Sequence, residues 1–352
     1  MEVSVTSWLP VALAGDNAVS QASTAQWLDT PTRWLLGTVL VVLGAASLVS
    51  RFLRRQPEGT VNPALARLFN LRVRAWWMMC AILIAGFIFG YVATVVLFGI
   101  VSFMALREFI TMTPTRRGDH RALFWVFLAV TPLQYVLVGF GEDAYKIYSI
   151  FIPVYGSLLI PARIAISGDP KWFLERSAKI QFGLLICVYA LSYAPALLDL
   201  SLRVPDADGN LQPWQGSRPG LLFYFVLLVQ LNDVLQYVWG KLVGKHVIAP
   251  KVNSNRTWEG FCGGVASTTL FGVLLSGVTP FGLWGSAFMA MIVSVMGFAG
   301  GMTMSAIKRD RGVADYGTLV QGHHGLLDRI DSLCFSAPVF FHLTPFFAEL
   351  AR

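Results

Sequence analysis

Along the chain, long apolar runs alternate with short polar ones, and the apolar runs are close to membrane length. A bilayer core about 30 Å thick takes roughly 20 residues of helix. Ten runs approach that length, near residues 34–50, 76–91, 92–110, 123–141, 145–163, 179–199, 220–240, 260–279, 281–303 and 333–350. In lipid each backbone N–H and C=O has to be satisfied without water, which a helix does within its own segment. The pattern predicts an all-α, polytopic integral membrane protein of about ten transmembrane helices. Runs two and three meet around Gly90, where a tight hairpin is expected. The ninth run ends in GFAGGM, small residues that let helix backbones come close. Residues 1–30 read as an extramembrane segment lacking the basic start of a leader peptide. Residues 31–215 follow as N-terminal transmembrane helices and 216–352 as a C-terminal transmembrane region that holds the candidate chemistry.

Composition agrees with this reading. Of 352 residues, 55% are hydrophobic and only 13% charged, where a soluble domain has about 25% charge. The net charge of +7 raises the question of nucleic acid, and its distribution answers it. With the N-terminus outside, the stretches 51–74, 107–121, 163–179, 241–256 and 308–329 all face inward and hold 22 of the 27 Lys and Arg residues. That asymmetry is the signature of membrane orientation, so the expected partners are membrane lipids and no nucleic acid. The run RFLRRQPEG at 51–59 is expected to lie against anionic headgroups, at about 1 kcal/mol per basic residue. Trp76, Trp77 and Trp258 fall near span ends, as an aromatic belt does. Cys80, Cys187, Cys262 and Cys334 show no metal-binding spacing and are expected to be small packing residues.

Two inward stretches, 232–264 and 305–332, concentrate the chemistry. Asp233 sits inside an apolar run, where a charge costs about 2.5–3.5 kcal/mol at the bilayer centre. It is therefore expected to face a water-filled cavity or a partner. In the second stretch Asp310, Asp315, Asp328 and Asp331 offer the hard oxygen ligands that suit Mg²⁺. Lys308, Arg309, Arg311 and Arg329 are cations suited to phosphate, and Gly317, Gly322 and Gly325 let backbone N–H groups approach an anion. Acids beside bases at a membrane face suggest a metal-bound polyphosphate meeting a lipid headgroup. The plain alternative is a solvated loop of surface ion pairs. A transporter would place charges deep in several spans, whereas these cluster at one face.

The run SAIKRDRGVADYGTLVQGHHGLLDRIDS at 305–332 resembles the signature of phosphatidate cytidylyltransferases, with Ser305, Lys308, Arg309, Asp315, His323, Gly325, Asp328, Arg329 and Asp331 in register. The other stretch is similar to that family at Asn232-Asp233, Tyr237, Gly240, Lys245, Pro250-Lys251, TWEG at 257–260 and Gly263-Gly264. The similarity spans about residues 222–341. It implies condensation of CTP with phosphatidic acid, or a similar lipid phosphate, to CDP-diacylglycerol and pyrophosphate, with Mg²⁺ as cofactor. By resemblance, Asp328, Asp331, Lys308, Arg309 and Asp233 would be catalytic, with Asp328, Asp331 and Asp315 near the metal. Lys251, Arg256, Ser305, His323, Arg329 and Glu259 would contact substrate. The resemblance also implies a homodimer and a bacterial inner membrane, with the site facing the cytoplasm. The chain departs from the family pattern in several places. Gly300-Gly301 stands for Gly-Asp, Ala314-Asp315 for Lys-Asp, Gln321 for Pro, His323-His324-Gly325 for His-Gly-Gly, and Arg256 for Lys. The missing carboxylate at Gly301 and the missing cation at Ala314 point toward weakened or absent catalysis, with weaker metal binding where it is retained; Asp310, Asp315 or His324 could replace the missing ligand. The alternative expectation is a non-catalytic or altered-substrate relative that binds anionic lipid or nucleotide.

Overall fold

The computed structural model describes residues 29–55, 63–112, 115–206, 208–312 and 325–351. Each apolar run of the sequence becomes a helix. In chain order these are α1 (Thr30–Arg55), α2 (Pro63–Phe89), α3 (Tyr91–Met112), α4 (Arg117–Gly139), α5 (Gly141–Ala165), α6 (Phe173–Asp199), α7 (Arg218–Leu242), α8 (Trp258–Leu274), α9 (Gly282–Asp310) and α10 (Leu327–Glu349). The protein is thus an all-α polytopic membrane protein. Among the described residues, eight of these helices are long and apolar enough to cross a bilayer. Of the other two, α8 has 17 residues, about 25 Å at 1.5 Å per residue, and the described apolar part of α2 includes Cys80–Phe89.

The expected hairpin between α2 and α3 turns at Gly90, whose φ of 93° favours glycine. Helices α4, α5 and α6 each contain a wide π-helical turn, at Val126–Val130, Phe151–Gly156 and Leu185–Ala190. Prolines account for the first two, since Pro132 and Pro153 lack an N–H and crowd the carbonyl one turn back. Hydroxyls take up carbonyls at both places: Thr131 donates to the Val126 carbonyl at 2.9 Å, and Ser157 to that of Pro153 at 2.6 Å. The only sheet structure among the described residues is two antiparallel hairpins. One pairs β1 (Arg203–Pro205) with β2 (Leu211–Pro213), and the other β3 (Val247–Ala249) with β4 (Asn253–Thr257).

Basic stretches that are distant in sequence meet at one end of the bundle. Arg116 pairs with Asp169 at 2.9 Å, Arg311 with Glu175 at 3.8 Å, and Arg309 donates to the Val252 carbonyl at 3.3 Å. Asp119 and Arg176 form a buried pair at 2.8 Å beneath them. The hydrogen bond from Arg116 holds the Asp169 carboxyl below its usual range.

Glycines decide how closely the C-terminal helices pack. A Cβ at Gly260 would lie 2.8 Å from the Gln236 carbonyl oxygen, one at Gly264 2.3 Å from Gln236 Cγ, and one at Gly263 2.5 Å from the Trp239 ring. These three glycines therefore form the face of α8 that lies on α7, a small-residue contact typical of membrane helices. Cys262 lies between them in sequence, points away from α7 and is exposed, so it does not pack in the core as expected. Cys80, Cys187 and Cys334 are buried as expected. Replacing Gly264 with Leu should force α7 and α8 apart and cost about 1–3 kcal/mol. A lowered melting temperature of the detergent-purified protein would register this.

Candidate active site

Helix α7 sets the site by its periodicity. Gln230, Asp233, Val234 and Tyr237 are spaced i, i+3, i+4, i+7, hence lie on one face, and all four line a cavity of about 330 Å³. The adjacent face of α7 carries Asn232 and Gln236, both buried. Gln236 donates to the Asn232 side-chain oxygen at 3.1 Å, and Asn232 donates to the Ser294 carbonyl at 3.2 Å. The polar residues of this span thus divide into a structural row and a cavity row. Helix α10 supplies Asp328, Arg329 and Asp331 from its first turns, while β4 supplies Asn253, Asn255 and Arg256. Trp76 of α2 completes the wall.

The three carboxylates and Arg256 in this cavity are each held by a neighbour. The Arg256 guanidinium donates to the Gln236 side-chain oxygen at 2.5 Å and to Asp233 Oδ1 at 3.2 Å. The Ser332 hydroxyl donates to Asp233 Oδ2 at 2.8 Å, and the Ser332 N–H to Asp331 Oδ1 at 2.6 Å. Lys308 pairs with Asp328 at 2.7 Å. Asp233, Asp328 and Asp331 therefore share one cavity, each fixed by a neighbour.

Two adjacent glycines of α9 shape this cluster. A Cβ at Gly300 would lie 2.7 Å from the Asp331 carbonyl, so Gly300 admits the backbone of α10. A Cβ at Gly301 would lie 3.2 Å from Arg256 Nη2 and 3.9 Å from Asp331 Oδ2. The guanidinium thus occupies the space where a longer side chain at 301 would begin.

The other candidates sit at the margin. Ser305 donates to the Gly301 carbonyl at 2.7 Å and accepts from Asn253 at 3.0 Å, which ties β4 to α9. Arg309 reaches the β3–β4 turn at the Val252 carbonyl. Lys251 is exposed in that same turn. The Glu259 carboxylate accepts the N–H groups of Lys245 and His246 and contacts the His246 ring at 2.5 Å, so it braces the base of the hairpin. Asp315 and His323, with Ala314, Gln321 and His324, lie outside the described residues.

Sequence reading missed Gln230, Trp76, Asn253, Asn255 and Ser332. Gln230 had a usable signal, because it precedes Asp233 by three residues within an apolar run. Asn253 and Asn255 had none beyond ordinary turn composition.

The donor set is of the kind Mg²⁺ prefers, being carboxylate oxygen. Among the described residues no three His, Cys, Asp or Glu side chains come close enough to hold an ion by themselves. Magnesium commonly binds through one or two carboxylates plus substrate phosphates, and this arrangement fits that mode. The cavity also adjoins two small apolar pockets. One shares Trp76 and Gln230 with it and continues along Cys80, Leu83 and Val226. The other shares Gln230 and Arg329 and continues along Phe98, Val101 and Leu333.

A polytopic helical membrane fold thus gathers acids and bases in one cavity, and comparison with known proteins gives its family. The chain belongs to the cytidylyltransferase family, whose sequence model matches residues 70–347. It is 35% identical to the uncharacterized protein YnbB of Escherichia coli K12 over 312 residues, 87% of this chain and 96% of that one. It is 37% identical to the phosphatidate cytidylyltransferase of Mycobacterium leprae over 184 residues, 51% of this chain and 53% of that protein. With the phosphatidate cytidylyltransferase of Aquifex aeolicus it shares 40% identity over 121 residues, 34% of this chain and 45% of that protein. The chain thus spans about half the length of these two phosphatidate cytidylyltransferases.

The tie between β4 and α9 gives a direct check on this geometry. In a Cys262→Ser background, a variant carrying Asn253→Cys and Ser305→Cys should cross-link with a short bismaleimide, each thiol adding across one maleimide double bond. Either substitution alone should give no such product by intact-protein mass spectrometry.

Proposed function

We propose that the protein transfers CMP from CTP to phosphatidic acid, or a closely similar lipid phosphate, forming CDP-diacylglycerol and pyrophosphate. The observation that carries this reading is the junction of a charged cavity with apolar pockets at Trp76, Gln230 and Arg329. A polar nucleotide and a two-part lipid need such a junction, since one end of the lipid is anionic and the rest is hydrocarbon. Membership of the cytidylyltransferase family supports the nucleotide half of the reading. The basic stretches gathered at this end of the bundle support a reading in which the cavity faces the cytoplasm, and in that reading the membrane is a bacterial inner membrane.

In the reaction, a phosphate oxygen of the lipid attacks the α-phosphorus of CTP. A new P–O bond forms, the bond from the α-phosphorus to the bridging oxygen breaks, and pyrophosphate leaves with the electron pair. The nucleophile is already anionic, so a strong general base is unnecessary. The central task is to bring two mutually repelling anions together, largely by positioning and charge stabilisation. Arg329, at the border of cavity and apolar pocket, holds the lipid phosphate. Arg256, fixed by Asp233 and Gln236, meets the triphosphate. Lys308 orients Asp328 through their ion pair. Asp328 and Asp331 are the residues that would hold Mg²⁺, with the remaining ligands supplied by phosphate oxygens and water. When bound, the ion neutralises charge developing on the phosphates.

A second reading, binding without turnover, is favoured by one observation. Position 301 offers no carboxylate, and the Arg256 guanidinium lies against it. One assay separates the two readings: Mg²⁺-dependent pyrophosphate release from CTP with phosphatidic acid in mixed micelles. Turnover by the native chain, reduced roughly 100-fold or more by Asp328→Ala, is the expected result. Binding of CTP without turnover would select the second reading, and neither binding nor turnover would refute both.

The guanidinium makes a further prediction. Arg256→Lys keeps the charge but loses the forked donor that spans Gln236 and Asp233, so KM for CTP should rise about tenfold, equivalent to about 1.4 kcal/mol. Gly301→Asp should draw Arg256 away from Asp233, and steady-state kinetics would show whether the added carboxylate raises or lowers the rate.

A further inference from the structure

The helix that brings Asp328, Arg329 and Asp331 to the cavity starts without a cap of its own. Its first N–H groups have no partner within the helix, and the entering residue, Leu326, has no side chain able to accept them. No Ser, Thr, Asp or Asn occupies Gly325, Leu326 or Leu327, the positions where such a cap normally sits. In a membrane protein, leaving these donors unanswered is costly.

The answer comes from the far side of the sequence. Glu108, in the last turns of α3, accepts the Leu326 N–H through Oε1 at 3.0 Å and the Leu327 N–H through Oε2 at 2.8 Å. One carboxylate thus takes two successive amides of a helix more than 200 residues away in the chain. A carboxylate at a helix N-terminus also matches the positive end of the helix dipole. Glu108 is half-buried and follows the exposed Arg107. Leu326 itself closes the first turn by accepting the Arg329 N–H at 3.0 Å. Asp328, Arg329 and Asp331 follow within about one turn, so the point and angle at which α10 begins set where their side chains enter the cavity.

We propose that Glu108 is a positioning residue: it caps α10 from another helix and thereby fixes Asp328, Arg329 and Asp331 at the cavity. It touches neither substrate nor the reacting atoms. The kinetic part of this proposal rests on the cytidylyl-transfer reading above; the capping part does not. The geometry explains why Glu suits position 108. Aspartate is shorter by one methylene and its carboxylate would fall short of both amides. Glutamine has the right length but keeps one acceptor and presents a donor to the second N–H.

The test is amide hydrogen exchange of the full-length protein in detergent, read over residues 326–331, alongside steady-state kinetics. In Glu108→Ala, exchange over this segment should speed up while peptides elsewhere in α10 and in α7 stay at their native rates. Glu108→Gln should fall between Ala and native, and Glu108→Asp should resemble Ala. With transfer activity in hand, kcat should fall about 10- to 100-fold in Glu108→Ala, the Mg²⁺ concentration for half-maximal rate should rise, and Glu108→Gln should recover part of both. Native exchange over 326–331 in Glu108→Ala overturns the proposal whatever the activity. So does accelerated exchange spread evenly over the whole bundle in both Ala and Gln variants, which marks a general loss of stability. If the native chain proves silent as a transferase, the exchange data alone decide the role of Glu108.

Discussion

Asp233 is a carboxylate on a helix that otherwise belongs in lipid, and the site is organised by the need to answer its charge. Arg256 answers it from a hairpin outside the helical bundle, and Ser332 answers it from α10. Each of these partners brings something else to the cavity. Arg256 carries β4 with its two asparagines, and Ser332 lies next to Asp331. Meeting one charge on a membrane helix thus draws three separate segments to a common point. The glycine face of α8 supports this meeting, because a larger residue at 260, 263 or 264 would push α8, which follows directly on the hairpin, away from α7. Stability of the fold and placement of the acids therefore depend on the same close approach.

Much of this was legible in the sequence because hydrocarbon imposes simple rules. Ten apolar runs became ten helices, and their boundaries were readable since leaving lipid requires polar residues. The basic stretches were recognisable as one group from charge asymmetry alone, and the chain brings several of them together. The cavity row of α7 was partly legible through Asp233, and Gln230 three residues earlier completes the same face. What the sequence concealed depends on distance in three dimensions. Nothing in the local pattern around Glu108 pairs it with Leu326, since a side chain bonding to backbone amides leaves no complementary residue to find. The outward Cys262 was also hidden, because it follows from which side of α8 the glycines occupy.

The glycine pair at 300 and 301 shows how one motif can divide its labour. Gly300 gives way to backbone and Gly301 to a guanidinium, so the same residue type serves packing at one position and charge placement at the next. Sequence resemblance flags only the second as a departure. In physical terms, a fixed cation borne by Arg256 stands beside the carboxylates at this position. Its charge does not depend on ion concentration, and its direction is set by Gln236 and Asp233.

If the protein carries out the proposed transfer, the contact between the charged cavity and the apolar pockets at Gln230 bears on how substrate supply would control it. One reactant would arrive by diffusion through water, in three dimensions, and its delivery would scale with its molarity. The other would arrive sideways within the leaflet with its chains still in hydrocarbon, so its delivery would scale with its share of the membrane's area. Diluting the lipid phosphate with other lipids would then slow the reaction even when the total amount per litre is unchanged. The product, still anchored by its chains, would re-enter the same two-dimensional pool from which its precursor came.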